Sequence, residues 1–308
     1  MKAVVFAYSN VGDRCLRVLR AGGVEVPLVV THRDSPGETL WFDRVADTAA
    51  ELGLQVVYGD DMFDPALASA VRAAEPDVIF SFYFRSLIPE AMLASARRGG
   101  FNMHGSLLPQ FRGRAPTNWA VLRGASETGA TLHVMQARAD AGAIVDCQSV
   151  PILPDDTGRQ VFDKVTVAAE QVLWRSLPAI VSGRLQLKAN DIERGSYFGG
   201  RRPEDGRIDW SRAAAEVYNL VRAVAPPYPG AFTELAGRRL VVAKARLADP
   251  SDVTFARSQP GLQVAGERIV GVCGDGGAIA VLELLDGAVA LSPADLSRLL
   301  STVNPATP

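Results

Sequence analysis

The first hundred residues alternate short apolar runs with longer segments of helical period, and that alternation leaves few folds open. Lys2–Ala7, Val24–Thr31, Leu54–Tyr58, Asp77–Phe82 and Gly100–His104 read as strands. Residues 11–22 read as a helix, with Asn10 as its N-cap and Gly22-Gly23 as its stop. Ser35-Pro36-Gly37-Glu38 has the form of a capping box with proline at the first helical position, and predicts a helix reaching about Leu52. Asp64–Ala74 is another helix. The run Asp77-Val78-Ile79-Phe80-Ser81-Phe82 is apolar enough to be covered on both faces, as the central strands of a parallel sheet are. Strands joined by helices imply right-handed crossovers and a mainly parallel, Rossmann-like α/β sheet. Ligands of such sheets bind beyond the carboxyl ends of the strands, where His104 stands.

Further along, Thr131–Gln136 and Ala143–Val150 read as two strands around the loop 137–142, and Gly158–Val181 as a long helix in which Pro178 falls in the last turn or bends the axis. The character changes after about residue 205. A short helix, Val217–Val224, precedes Pro226-Pro227-Tyr228-Pro229-Gly230, and strand-like runs follow at 231–236, 239–246, 268–273, 278–284 and 288–291. Gly, Asp and Pro punctuate them, as in a small β-barrel or sandwich. A chain of 308 residues is enough for about two domains, and the expected division is 1–203 and 204–308. The last residues, Asn304–Pro308, are expected to fray.

The charge balance, −2 at neutral pH, lacks the basic excess of a nucleic-acid binder. Cys15, Cys147 and Cys273 are widely spaced and form no CxxC pair, so they suit a reducing cytoplasm better than a disulfide framework or a zinc site. No apolar run reaches the roughly 18 residues of a membrane span, and the N-terminus lacks a signal-peptide pattern. The turn after the first strand, Ala7-Tyr8-Ser9-Asn10-Val11-Gly12, is not GxGxxG, so a nicotinamide dinucleotide is not expected. Neither a P-loop nor HExxH is present.

What remains is Phe101-Asn102-Met103-His104-Gly105-Ser106-Leu107-Leu108-Pro109. Asn102 and His104, two apart on a strand, project from one face, and the turn exposes them at its end. A carboxamide donates to a developing oxyanion, and an imidazole moves a proton near neutral pH. A structural histidine bonded to backbone is an equally common role for His104. Asp140, in Arg138-Ala139-Asp140-Ala141-Gly142, has the bland role of a loop carboxylate bonded to nearby amides. The sharper one is a partner that orients His104 and raises its pKa. Arg112 and Arg114 flank Gly113 directly after the candidate site, and Arg201-Arg202 close Phe198-Gly199-Gly200. Either pair could be merely solvated, or could present guanidinium forks to a phosphate or carboxylate. Tyr83–Pro89 could line a flat pocket at the end of the fourth strand or cover the core.

Taken together, these residues resemble the 10-formyltetrahydrofolate-dependent formyltransferases. That family carries Asn-x-His at a strand end, then Ser-Leu-Leu-Pro and an Arg-Gly turn, with an aspartate some thirty residues on in a D-x-G loop. The counterparts here are Asn102, His104, Ser106–Pro109, Arg112-Gly113 and Asp140-Ala141-Gly142. Within the family the chain is most similar to the branch that formylates UDP-4-amino-4-deoxy-L-arabinose in lipid A modification and polymyxin resistance, and it is also related to the methionyl-tRNA formyltransferases. The matches extend through Arg112–Trp119, Arg138–Val145 and Tyr228–Phe232.

The resemblance implies a Rossmann-like catalytic domain with a smaller C-terminal β-barrel-like, OB-like domain, a cytoplasmic setting, and 10-formyltetrahydrofolate as co-substrate with no metal. It implies Asn102, His104 and Asp140 as catalytic residues, with Asn102 and a protonated His104 stabilising the oxyanion. The folate would lie against Ser86, Leu87, Ile88 and the loop Gln136, Ala137, Arg138, Ala139, Asp140. A UDP-amino sugar would meet Arg114, and its diphosphate Arg201 or Arg202. Partners are confined to that substrate, with neither nucleic acid nor membrane expected; a homo-oligomer is compatible. The best-known relatives carry a second, dehydrogenase–decarboxylase domain, so here that step is expected of a separate polypeptide.

Overall fold

The computed structural model describes residues 1–34, 39–249 and 259–303. The chain divides into two compact units. The first comprises residues 1–117, 127–151 and 162–199; the second comprises 118–126, 152–161 and 200–308.

The first unit is built on β1 (Lys2–Ala7), β2 (Glu25–Thr31), β3 (Val56–Tyr58), β4 (Val78–Phe82), β5 (Gly100–His104), β7 (Glu127–Val134) and β8 (Ile144–Pro151), in the order β3-β2-β1-β4-β5-β7-β8. A small parallel pair, β6 (Arg112–Gly113) with β9 (Tyr197–Phe198), lies apart from it. The strands from β3 to β5 run parallel, and β7 and β8 are added antiparallel. Every residue of β4 is buried, as its unbroken apolar run requires. Ile79 enters one core cluster with Val4, Phe6, Leu28, Val30, Leu67 and Val71. Phe80 stacks with Phe82 at 5.4 Å and meets Phe101. Each such side chain contributes about 1.5–3 kcal/mol through its removal from water.

The helices are α1 (Ser9–Ala21), α2 (Val45–Glu51), α3 (Pro65–Ala73), α4 (Glu90–Leu93), α5 (Pro116–Leu122) and α6 (Gly158–Ser182). In α1 the buried positions Val11, Cys15, Leu16, Val18 and Leu19 lie on one face, at the spacing that folds a helix onto a sheet. Asn10 is not its N-cap. The helix already starts at Ser9, and Asn10 Oδ1 instead accepts the Asp43 N–H at 2.6 Å. Asp64 does cap α3, accepting the Ala66 N–H at 2.8 Å, with Pro65 at the first position. The capping box at 35–38 lies outside the described residues, and the helix expected to follow it is much shorter. Residues 39–44 are not helical. Trp41 packs edge-on against Phe162 and Phe42 against Tyr8, so adjacent aromatics are drawn to different partners, which a single helix face does not allow.

In the second unit β10 (Ala231–Leu235), β11 (Arg238–Leu247), β12 (Gly261–Ala265), β13 (Arg268–Val272), β14 (Ala278–Asp286) and β15 (Val289–Ala290) form one antiparallel sheet. Its order is β10-β11-β14-β13-β12, with β15 on β14. The path has two ends among the described residues, so it is a half-barrel and not a closed one. Helices α7 (Ala214–Ala223) and α8 (Pro293–Val303) pack with it. A Cβ at Gly271 would come within 2.2 Å of the Trp210 ring, and the Trp210 indole N–H reaches Thr233 Oγ1 at 3.1 Å. Strand β12 has no counterpart among the runs read from the sequence, because its apolar positions are interrupted by Gln263.

Candidate active site

Strand β5 carries Asn102 and His104 toward the carboxyl end of the parallel strands. The antiparallel register with β7 sets His133 opposite Asn102 and Thr131 opposite His104, so the four side chains share one face. Thr131 Oγ1 donates to the Ser106 carbonyl at 2.6 Å and accepts the Leu108 N–H at 3.1 Å. Ser106 Oγ donates to the Gln110 carbonyl at 2.5 Å. These bonds tie the turn after His104 to the neighbouring strand and to itself.

The turn returns the Phe111 carbonyl to His104, 2.9 Å from Nε2. A carbonyl only accepts, so Nε2 carries the hydrogen. On the other side of the ring, Asp140 Oδ1 lies 3.4 Å from His104 Nδ1 and 3.5 Å from His133 Nε2. Asp140 Oδ2 accepts the Gly113 N–H at 2.8 Å. His133 Nδ1 donates to the Val134 carbonyl at 3.0 Å, which leaves its Nε2 to accept from Asn102 Nδ2 at 3.0 Å. Asn102 therefore has a fixed amide orientation and a second N–H for a substrate oxygen. Phe111 and Asp140, the two residues that flank His104, have φ of 56° and 52°. Non-glycine residues in the left-handed region are costly, and such strain concentrates at functional sites.

The three side chains singled out in the sequence thus meet: Asn102 through His133, and His104 against Asp140. One electrostatic expectation meets an opposing effect. His104 and Asp140 are nearly excluded from solvent, their side chains 6% and 11% exposed. Burial pushes the His104 imidazole below its usual range, and this outweighs the upward pull of Asp140 and of the Phe111 carbonyl. Burial thus favours the neutral ring, with a lone pair on Nδ1 facing a carboxylate. Burial alone would raise the Asp140 carboxyl, but the positive charge of His104 when protonated, His133 and the Gly113 N–H hold it down at about 2. A proton arriving at Nδ1 is therefore matched at once by a full negative charge. The site is a buried base with its counter-ion in place, beside a preset amide donor, an arrangement suited to proton transfer at a carbonyl.

The other expected contacts are more dispersed. Leu87 is exposed, whereas Ile88 packs against the same core cluster as Met135, the residue before Gln136. Gln136, Ala137 and Arg138 are exposed, and Ser86 and Ala139 are half-buried. Arg114 is exposed, with its N–H on the Phe198 carbonyl at 3.0 Å. Arg201 and Arg202 belong to the second unit. There the Arg201 guanidinium lies 5.0 Å from the Trp119 ring centroid and donates to the Asp205 carbonyl at 2.9 Å. Arg202 N–H bonds the Asp205 carboxylate at 2.7 Å. Sequence reasoning passed over His133. Its signal was the alternation Thr131-Leu132-His133-Val134 beside a strand bearing Asn102, legible only once the pairing of the two strands is known.

The family described as Formyl transferase matches residues 1–177, and the one described as Formyl transferase, C-terminal domain, matches residues 201–298. The chain is similar in fold to an N-formyltransferase from Helicobacter canadensis solved with folinic acid and dTDP-3-aminofucose (17% identity, 91% of this chain and 98% of that one, TM-score 0.69). It is likewise similar to WlaRD, a sugar 3N-formyl transferase solved in the presence of dTDP and 5-N-formyl-THF (18% identity, 95% and 97%, TM-score 0.70). A third relative is a sugar N-formyltransferase from Shewanella sp. (17% identity, 78% and 95%, TM-score 0.63).

Proposed function

Because this chain belongs to the formyl transferase family, we propose that it transfers the formyl group of 10-formyltetrahydrofolate to the 4-amine of a UDP-linked amino sugar. The acceptor proposed is UDP-4-amino-4-deoxy-L-arabinose, and the role lipid A modification. The observation that carries the reaction class is the buried Asn102–His104–Asp140 constellation with its preset donor and base. The acceptor rests on the sequence likeness along Arg112–Trp119 and Arg138–Val145. The bound dTDP-3-aminofucose of the Helicobacter relative supports a nucleotide amino sugar as the class.

The residues suit this chemistry as follows. Asn102 offers its second amide N–H to the oxygen that becomes negative when the amine adds to the formyl carbon. His104 Nδ1 takes the proton that the amine nitrogen sheds as its new N–C bond forms. The resulting imidazolium is held between Asp140 and the Phe111 carbonyl. His104 returns the proton to the folate nitrogen as the old C–N bond breaks, so the ring ends neutral, as it began. The formyl donor supplies the electrophilic carbon and the leaving nitrogen. In this scheme the folate lies against Ser86–Ile88 and 136–140, the acceptor meets Arg114, and Arg201 or Arg202 meets the diphosphate.

Mass spectrometry of the products from 10-formyltetrahydrofolate and a panel of UDP- and dTDP-linked 3-amino and 4-amino sugars tests the reading. Formylation of the UDP-4-amino pentose above the others is expected. Preference for a dTDP-3-amino hexose would replace the acceptor while keeping the reaction, and formylation of methionyl-tRNA alone would replace both acceptor and role.

A further inference from the structure

We infer that residues 188–198 form a strap that sets the two acceptors on either side of His104, with Asn190 and Ser196 as its positioning residues. The inference rests on the active-site reading above. The two acceptors, the Phe111 carbonyl and the Asp140 carboxylate, come from separate turns, and each turn bends through a left-handed non-glycine residue. Such conformations persist where the surroundings hold them, and both turns take bonds from one segment outside themselves.

The strap reaches each of them by side chain and backbone. At one end Lys188 and Ile144 exchange backbone N–H···O=C bonds, both of 2.8 Å. Asn190 Nδ2 donates to the Asp140 carbonyl at 3.0 Å and to the Gly142 carbonyl at 3.1 Å. Its Oδ1 is buried without a partner. A flipped amide would set that oxygen against two carbonyls, so the carboxamide keeps both hydrogens on the Asp140 loop and leaves its own acceptor unbonded. At the other end the Phe111 N–H donates to Ser196 Oγ at 2.8 Å. Ser196 N–H reaches the Pro109 carbonyl at 3.2 Å, and its carbonyl accepts the Arg112 N–H at 3.0 Å. Gln110 Nε2 donates to the Arg194 carbonyl at 2.8 Å. Between them Gly195 lies so close to Pro109 that a Cβ would fall 2.1 Å from its carbonyl oxygen. The buried Arg112 side chain is directed to the same segment, with one N–H 3.4 Å from the Ile192 carbonyl.

One short stretch thus grips the Asp140 turn through Asn190 and the Phe111 turn through Ser196. Neither residue touches His104. Their action is through the spacing of the two groups that do, and a shift of the order of 1 Å in such a constellation can reduce rate about 100-fold.

The test uses Asn190→Leu, which keeps the branched outline but removes both donors, and Ser196→Ala, which removes the acceptor of the Phe111 N–H and the donor to Gln110 Oε1. Asn190→Gln and Ser196→Thr serve as the conservative counterparts. In steady-state formyl transfer by the full chain, Asn190→Leu and Ser196→Ala should lower kcat about 10- to 100-fold, with KM for the amine changed less than about twofold. Asn190→Leu, by loosening Asp140 from His104, should also move the acid limb of the pH profile to lower pH. Gln and Thr should restore part of the loss. Unchanged kcat and an unmoved pH profile in folded Asn190→Leu and Ser196→Ala would overturn the strap. If Asn190→Leu does not fold, Ser196→Ala decides alone, since it removes only the two bonds of one half-buried hydroxyl, to the Phe111 N–H and to Gln110 Oε1. His104→Ala, measured alongside, separates the two readings. Normal transfer by His104→Ala overturns the active site itself, whereas lost transfer there with unaffected strap variants overturns the strap only.

Discussion

Replacing Asp140 by Asn isolates the charge at the centre of the site. The asparagine keeps the size of the side chain, and its Oδ1 can still accept the Gly113 N–H that Asp140 accepts at 2.8 Å. What it loses is a carboxylate whose pKa stands at about 2 in the folded chain, against about 3.9 in an unfolded one. A depressed acid stabilises the fold fully above its unfolded value and ceases to do so as pH falls through the folded one. With about 1.4 kcal/mol per pH unit of separation, the stabilisation lost between about pH 4 and pH 2 is about 2 kcal/mol. The Asp140 side chain is 11% exposed, so solvent screening takes little from that figure. Urea unfolding at a series of pH values from 7 to 2.5, wild type against Asp140→Asn, checks it. Other depressed carboxylates cancel in the difference, which should shrink by about 2 kcal/mol between about pH 4 and pH 2. Parallel curves over the whole range would refute the argument, because they would mean that the histidines and the Gly113 amide do not hold the charge.

His104→Ala and Asn102→Ala should each lower kcat by about 10²–10³-fold in a formyl-transfer assay, the first by removing the base and the second the oxyanion donor. Because burial depresses His104 and the neutral ring is the active form, the rate should hold as pH falls through about 6.5, the unperturbed value. It should drop only at lower pH; a limb above 6.5 would contradict a buried neutral imidazole. Phe80 is fully buried in the sheet core, and Phe80→Ala should cost about 3–5 kcal/mol in denaturant unfolding. At Gly142 an added Cβ would lie 1.8 Å from the Val134 carbonyl oxygen. Gly142→Ala should therefore cost about 1–3 kcal/mol through overpacking and reduce transfer as well, by displacing the Asp140 loop; thermal melts with paired rate measurements check both effects.

The parallel sheet was legible because its strands are continuous apolar runs and its helices have a periodic face, both properties of neighbouring residues. The segment around Trp41 and Phe42 was not. Its aromatics pack on Tyr8 and Phe162, and those distant partners override the local helix signal. Asn10 misled for a related reason. It has the right chemistry for a cap, but the helix begins two residues earlier than expected, at Ser9, and a backbone amide 33 positions away takes its oxygen. Asn190 and Ser196 left no mark in the sequence at all, since an asparagine and a serine between two turns are ordinary there.

Asn102 and His104 share a face because strand geometry alternates side chains, and the sequence by itself determines that much, together with the turn that bares them and the family to which their spacing belongs. Tertiary structure decided the rest. Asp140 approaches His104 across a loop, His133 orients Asn102 across a strand pair, and residues 188–198 lace both turns. Burial, which no stretch of sequence carries on its own, pushes the His104 pKa down. Hydrogen bonds between distant segments and the exclusion of water depend on what surrounds a residue, and only the folded chain supplies the surroundings.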